Sequence, residues 1–431
     1  MEHPKRLDLI LLWHMHQPDF RDLATGEFDL SWVYLHATKD YLDMASHFER
    51  HPKMHGVVNF VPVLLDQIEQ YAEQFSQGEV RDPLLRLLPR EDLHSLSAAE
   101  RQLILERCFR GNHVEMIEPF APYKRLYELF RFVRDHGSEA GHYLSGEYLG
   151  DLLTWFHLSW TGETVKRSHK LIVELMAKGQ QFSADDRRAL YRLIGQLMGE
   201  VIPRYRKLAE SGQIELSTTP HYHPIGPLML DLRSARQAQP GIVLPEVEQY
   251  CGGRGRLAWH IQSALASHAQ RFGAPARGMW PAEGAISTDF LHTLAAAGMQ
   301  WAASGEGVLV NTLSQTAKNL PPRNQYLYRP FRIGRPGQQI VCFFRDDKLS
   351  DAIGFEYAKW HGRDAVAHLI GELDRIRLHA DAGDTPVVSI ILDGENAWEF
   401  YPYNGYYFLH ELYEALEQHS AIRTWTCSGY L

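Results

Sequence analysis

Val387-Val388-Ser389-Ile390-Ile391-Leu392 runs straight into Asp393-Gly394-Glu395-Asn396-Ala397-Trp398. A short, branched, nearly continuous apolar run closed by a glycine reads as a strand buried on both faces. Two carboxylates then stand at its C-terminal end. A related event comes earlier, where Met279-Trp280-Pro281-Ala282-Glu283-Gly284 sets an acid between an indole and a glycine. Working outward, six more short runs read as strands, at 7–13, 57–61, 213–217, 277–280, 300–303 and 339–344. Most lack strict apolar/polar alternation, as parallel strands covered on both faces do.

Helical patterns separate these runs, at 41–49, 254–272, 287–297, 364–379 and 407–418. Gly273 and Gly298 stand where C-terminal caps belong. Strand-helix repetition predicts an α/β layered fold. Seven strands in this order fit an irregular (β/α)7 barrel, and an open doubly wound sheet shares the pattern. From 62 to 212 no strand is expected. Helical patterns at 98–109, 123–135, 164–177 and 183–210, the last interrupted at Pro203, predict a mainly helical insertion after the second strand. It could wall a cleft. We expect one barrel domain over 1–431, holding that insertion and a helical C-terminal segment at 395–431.

The composition is globular: 431 residues, 45% hydrophobic and 23% charged. A formal net charge of −9 argues against nucleic acid and anionic membranes as partners. Four scattered cysteines, Cys108, Cys251, Cys342 and Cys427, suit reduced thiols better than a disulfide framework or a zinc knuckle. The apolar stretch before His14 is too short for an ordinary signal peptide, and no run approaches a membrane span. A cytoplasmic protein is expected.

Polar residues cluster where the strands end. His14, His16 and Gln17 follow the first, and Thr218, Thr219, His221 and His223 the third. Glu283 follows the fourth, Ser304, Gly305 and Glu306 the fifth, Arg345, Asp346 and Asp347 the sixth, and Asp393, Glu395 and Trp398 the seventh. Barrel active sites are assembled from such strand-end loops. Paired carboxylates at two strand ends suit acid/base and nucleophilic work at a sugar acetal, and neighbouring indoles offer stacking faces. Simpler roles compete. Glu283 could serve the helix beginning near Ser287, Asp393 could open a turn, and Arg345 could pair with a local carboxylate. His14/His16 and His221/His223 are spaced i, i+2. In extended chain each pair shares a side, suiting hydroxyl binding or metal ligation.

Together these segments resemble glycoside hydrolase family 57, the α-glucan-active group, nearest its α-amylase and amylopullulanase-like members. His16-Gln17-Pro18 resembles the family's first motif. Gly212-Gln213-Ile214-Glu215-Leu216 with Thr219-Pro220-His221-Tyr222-His223-Pro224 resembles the second. Trp280-Pro281-Ala282-Glu283 is similar to the nucleophile motif, and Leu392-Asp393-Gly394-Glu395 to the acid/base motif. Trp32 to Tyr41 and Phe344 to Phe355 also resemble that group.

The resemblance implies a (β/α)7 barrel and a retaining mechanism with no metal or cofactor. It implies Glu283 as nucleophile and Asp393 as general acid/base, acting on α-glucans or maltooligosaccharides. Candidate substrate-binding residues are His14, His16, Glu215, His223, Trp280, Glu306, Arg345, Glu395, Trp398 and Tyr401. Burial and the charge of Glu395 are expected to raise the Asp393 pKa. The family's fifth motif, on a further helical segment, is not expected within these residues. A 4-α-glucanotransferase or branching enzyme would use the same acids. A zinc hydrolase would use the histidines, and a glucan-binding protein would use the shape of the site alone.

Overall fold

The computed structural model describes residues 5–135, 137, 143–247, 249–316, 319–381 and 383–431. In chain order its strands are β1 (Leu7–Met15), β2 (Gly56–Phe60), β3 (Ile214–Thr218), β4 (Gly278–Met279), β5 (Trp301–Gly305), β6 (Phe331–Arg335), β7 (Gln338–Arg345), β8 (Val387–Asp393) and β9 (Ile422–Thr424). β1, β2, β3, β4, β5, β7 and β8 pair in parallel, and β8 returns to β1 to close a seven-stranded barrel. Two strands fall outside the expected set. β6 forms an antiparallel hairpin with β7, and β9 adds in parallel to the start of β1.

Side-chain alternation sorts each strand into an inner and an outer row. On β1, Leu7, Leu9, Leu11, Trp13 and Met15 join the large core between strands and helices. Ile10 and Leu12 belong instead to a smaller cluster with Val57, Trp301, Phe343 and Ile391, which fills the barrel. Continuing the inner row upward places His14 at its top. On β8, Val387 and Ile391 lie in the inner cluster, and the same row continues to Asp393. Full burial of a side chain such as Ile391 contributes about 1.5–3 kcal/mol. Cys427 packs at the inner cluster with Trp425 and Tyr430 against it, and Trp425 Nε1 donates to Asp8 Oδ1 at 2.8 Å. The C-terminal residues thus cover the lower end of the barrel.

Between β2 and β3 lie helices Pro62–Gln77, Ala98–Arg107, Ala121–Asp135, Gly146–Ser159, Glu163–Ser168, Lys170–Lys178 and Ala184–Glu210, with a shorter one at His113–Met116. The last long helix runs through Pro203 without a break, and the pattern at 164–177 divides at His169. Helix Gly146–Ser159 has no polar stripe, because every residue but Glu147 is buried. No helix of the described residues is long and apolar enough to cross a membrane.

Candidate active site

His14 sits opposite Asn59 on one neighbouring strand and opposite Asp393 on the other. Adjacent strands lie about 4.8 Å apart. Register alone therefore assembles an amide, an imidazole and a carboxylate along the upper rim. Asn59 Nδ2 donates to Ser217 Oγ at 3.0 Å, so its Oδ1 faces His14 Nδ1 at 2.7 Å as acceptor. The imidazole carries its proton on Nδ1, and Nε2 keeps a lone pair.

Glu283 arrives differently. β4 is two residues long, and the chain then turns through Pro281 and Ala282 to a left-handed Glu283 at φ 56°, ψ 21°. Non-glycine residues held there cost of order 1–3 kcal/mol and concentrate at functional sites. Clamps surround the turn. Thr219 Oγ1 donates to the Trp280 carbonyl at 2.7 Å and lies 2.9 Å from Asn59 Oδ1, and buried Ser304 Oγ donates to the Gly284 carbonyl at 2.6 Å. Gly284, at φ +64°, has no room for a methyl group: a Cβ would meet the Trp280 ring at 2.8 Å.

These elements converge on a cavity of about 430 Å³. His14, His16, Trp280, Glu283, Arg345, Asp393 and Glu395 line it, together with Gly305, Asp347 and Asn396, which were not among the candidate substrate-binding residues. Asn396 Nδ2 donates to Asp393 Oδ2 at 2.7 Å. Among the described residues no lining residue comes from 62–212, so the described part of the helical insertion is not a wall of this cavity. His223 completes an imidazole stack, its ring 4.0 Å from that of His16 and 5.3 Å from that of His14. Burial and neighbouring imidazoles push His16 and His223 down to about 3. Burial lowers His14 too, against the pull of Asp393, Asn59 and Glu283. All three rings are neutral near pH 7. His16 Nδ1 and His223 Nε2 are buried without a hydrogen-bond partner among the described residues. Among the described residues, no group of three or more His, Cys, Asp and Glu is arranged to hold a metal ion.

The marked upward shift at the β8 end falls on Glu395. Burial pushes its carboxyl well above the usual range, and the charges of Asp393 and Asp40 add to the effect. Its Oε1 accepts from the His16 backbone N–H at 3.3 Å and from Gln17 Nε2 at 3.4 Å.

Several expected site residues lie elsewhere. Glu215 belongs to the layer of Leu12, Val57 and Ile391, two residues below His14. It accepts from Trp301 Nε1 at 2.8 Å and from the Ser428 backbone N–H and hydroxyl at 2.7 and 2.6 Å. It ties the C-terminal turn to the barrel rather than facing the cavity. Glu306 begins a helix and forms a fork with Arg323, both contacts at 2.6 Å. Trp398 is a core residue, edge-on to Trp13 and donating to the Gly394 carbonyl. Tyr401 is buried and donates to the Ile353 carbonyl at 2.6 Å. These two border a separate cavity of about 450 Å³ against the helical insertion.

Arg345 lines the site but spends its guanidinium on Asp347, Asp351 and the Ile391 carbonyl. His221 parts from His223 because Thr219 to His223 is a turn, closed by the His223 N–H donating to the Pro220 carbonyl at 2.8 Å. His221 pairs instead with Asp66 and Ser263. Asn59, which helps position the site, was missed, and Ser304 was read as a strand-end residue without a role in the site. A lone amide inside the apolar run Gly56-Val57-Val58-Asn59-Phe60 was the available signal for Asn59.

The model of Glycosyl hydrolase family 57 matches residues 10–431. A comparison with curated proteins finds no match. Among solved structures, the 4-alpha-glucanotransferase from Thermococcus litoralis superposes with a TM-score of 0.50 at 16% identity, covering 99% of this chain and 40% of that one. The GH57-type branching enzyme from Pyrococcus horikoshii gives 0.53 at 14%, covering 98% and 69%. The alpha-amylase from Thermotoga maritima gives 0.53 at 14%, covering 98% and 74%. At these identities the likeness is one of fold. The chain spans well under half of the glucanotransferase and about seven-tenths of the other two.

Proposed function

This chain belongs to glycosyl hydrolase family 57, and from that premise we propose that it cleaves α-glucosidic bonds with retention, as an α-amylase or amylopullulanase-type hydrolase of α-glucans. Glu283 attacks the anomeric carbon while Asp393 gives its proton to the departing glycosidic oxygen. A glycosyl ester of Glu283 results. Asp393, now a base, takes a proton from water, whose oxygen displaces Glu283 and restores the original configuration. The observation that supports this reading most is the shared cavity. Glu283 and Asp393 reach it from opposite sides of the barrel, beside a bank of neutral imidazoles.

Neutral rings with open nitrogens suit sugar hydroxyls, which both donate and accept. His14 Nε2, left free by the Asn59 contact at Nδ1, is such a nitrogen on the cavity. Trp280 offers an apolar edge. The same acids would serve a 4-α-glucanotransferase or a branching enzyme, where a sugar hydroxyl replaces water in the second step. Incubation with maltoheptaose, pullulan and glycogen tests the proposal, with Glu283→Gln as control. Shorter products first released as the α-anomer are expected. First release of the β-anomer would overturn retention, longer or newly branched products would replace hydrolysis by transfer, and inertness on all three would reject an α-glucan substrate.

A further inference from the structure

We propose that Tyr222 and Trp259 form an aromatic platform that carries an α-glucan chain away from the catalytic cavity, an inference that rests on the α-glucan reading above. The two rings lie near-parallel, 14° apart with centroids 6.1 Å apart, and are 43% and 53% exposed. Large aromatic faces left in water in one contiguous patch mark a binding surface more often than a scattered exposed residue does. The platform is also held rigidly. His221 is buried between Asp66 and Ser263, and its backbone N–H donates to the His260 carbonyl at 3.2 Å. Trp259 stands beside His260 on helix Gly253–Phe272. The left-handed His223, at φ 56°, then turns the chain inward, so its ring joins the site stack while the preceding Tyr222 stays outside. Successive residues of one turn thus carry the imidazole stack beside the cavity and the platform outside it.

The chemistry fits a neutral, hydroxylated ligand. The platform borders a groove of about 600 Å³ that Tyr250, Arg256 and His260 also line, with no carboxylate among the described residues that line it. The one guanidinium lies over the Tyr250 ring at 5.7 Å. Ring faces suit the C–H faces of glucose units, and His260 and Arg256 can meet hydroxyl edges.

Binding is measured by calorimetry in the full chain carrying Glu283→Gln, with maltose and maltoheptaose as probes. Adding Trp259→Ala or Tyr222→Ala should weaken maltoheptaose about tenfold and maltose by less than about twofold. Tyr222→Phe and Trp259→Phe keep a ring and should recover most of the loss. Unchanged maltoheptaose affinity in both alanine variants would overturn the platform and leave the proposed function standing. Equal weakening of maltose and maltoheptaose would also overturn it, by making the rings part of the cavity itself. So would a change of oligomeric state in place of a change of affinity, since the face would then join two copies of this chain. If the Glu283→Gln parent binds neither sugar, the α-glucan reading and the platform fall together.

Discussion

Glu283 and Asp393 reach one cavity from strand ends built in opposite ways. β8 is seven residues long and pairs with β1 at every one of them, so Asp393 is aimed by an unbroken ladder opposite His14. β4 has two residues, and Glu283 is aimed by a left-handed turn. A ladder needs only the right alternation of side chains, and each residue added makes the aim more secure. A turn of this kind stores strain and holds only while its surroundings over-determine it. Here Thr219, Ser304 and Gly284 do so. One acid is placed by secondary structure and the other by tertiary clamps.

The largest effects separate the two acids by chemistry. Glu283→Gln removes the atom that bonds to carbon, so kcat on every substrate should fall by on the order of 10⁴-fold or more. Asp393→Asn removes a proton carrier, so loss on glucans should be about 10²–10⁴-fold. On a glycosyl fluoride, which needs little protonation, this variant should still form the glycosyl-enzyme and then stall. Azide should relieve that stall with retained configuration, whereas rescue of Glu283→Gln should give inverted product. Azide rescue by Glu395→Gln in place of Asp393→Asn would transfer the acid/base role to Glu395.

A second test compares the glycines that follow the acids. Gly284→Ala forces a Cβ into left-handed backbone and against the rigid Trp280 ring. It should cost about 1–3 kcal/mol of stability and about 10²-fold in kcat/KM through misaim of Glu283. Gly394→Ala would press on the thioether end of Met15, which can swing aside, and its backbone φ is not left-handed. Urea midpoints and kcat/KM for both variants check the contrast. Equal losses would show that the ladder end needs clamping as much as the turn does.

A third effect is smaller and concerns pH. His16 and His223 ionise near 3 when folded and near 6.5 in an unfolded chain. Between those values the unfolded state binds more protons, so stability rises with pH. Their contribution is fully present above about 6.5 and is lost as pH falls toward about 3. Replacing both by asparagine should flatten the fall in denaturant midpoint between pH 6.5 and pH 4. A midpoint profile as steep as that of the parent would assign the acid limb to other groups.

This contrast also explains what the sequence made legible. The β8 run and the β1 run read as buried strands with polar residues at their ends, and so Asp393 and His14 were legible as strand-end residues, whereas closure of the barrel is seen only in the pairing of β8 with β1. The Trp280-Pro281-Ala282-Glu283 segment announces an acid by its neighbours, while its aim depends on Thr219 and Ser304 from β3 and β5. Contacts of that kind leave no local pattern. Glu215 deceived because it faces inward on β3 like a site residue but one layer too low. Trp398 deceived because an indole after a polar loop reads the same whether it faces ligand or core. His221 and His223 looked like one pair because i, i+2 spacing means a shared side only in extended chain, and here the chain turns. β9 spans three residues, too few for periodicity to show.

The smallest expected effect lies at Glu395, two residues beyond Asp393. This carboxyl is buried, and its Oε2 has no partner among the described residues. Tyr41, whose hydroxyl is itself buried without a partner, feels its charge. Burial and the nearby Asp393 and Asp40 raise its folded pKa above the ordinary 4.5. The folded state therefore holds a proton that the unfolded state has released. Stability from this group is fully present below about pH 4.5 and declines as pH rises. Glu395→Gln keeps an acceptor for the His16 N–H and Gln17 and needs no proton to be neutral. It should be more stable than the parent at pH 8, on the order of 1 kcal/mol, with the difference shrinking toward pH 4. Urea melts of both proteins at pH 4, 6 and 8 give the readout. A constant deficit at every pH would mean that Glu395 is held by contacts rather than by its proton. A pH-dependent gain would show that a fully paired strand end tolerates a dry carboxyl, where the strained turn at Glu283 keeps its acid exposed to solvent.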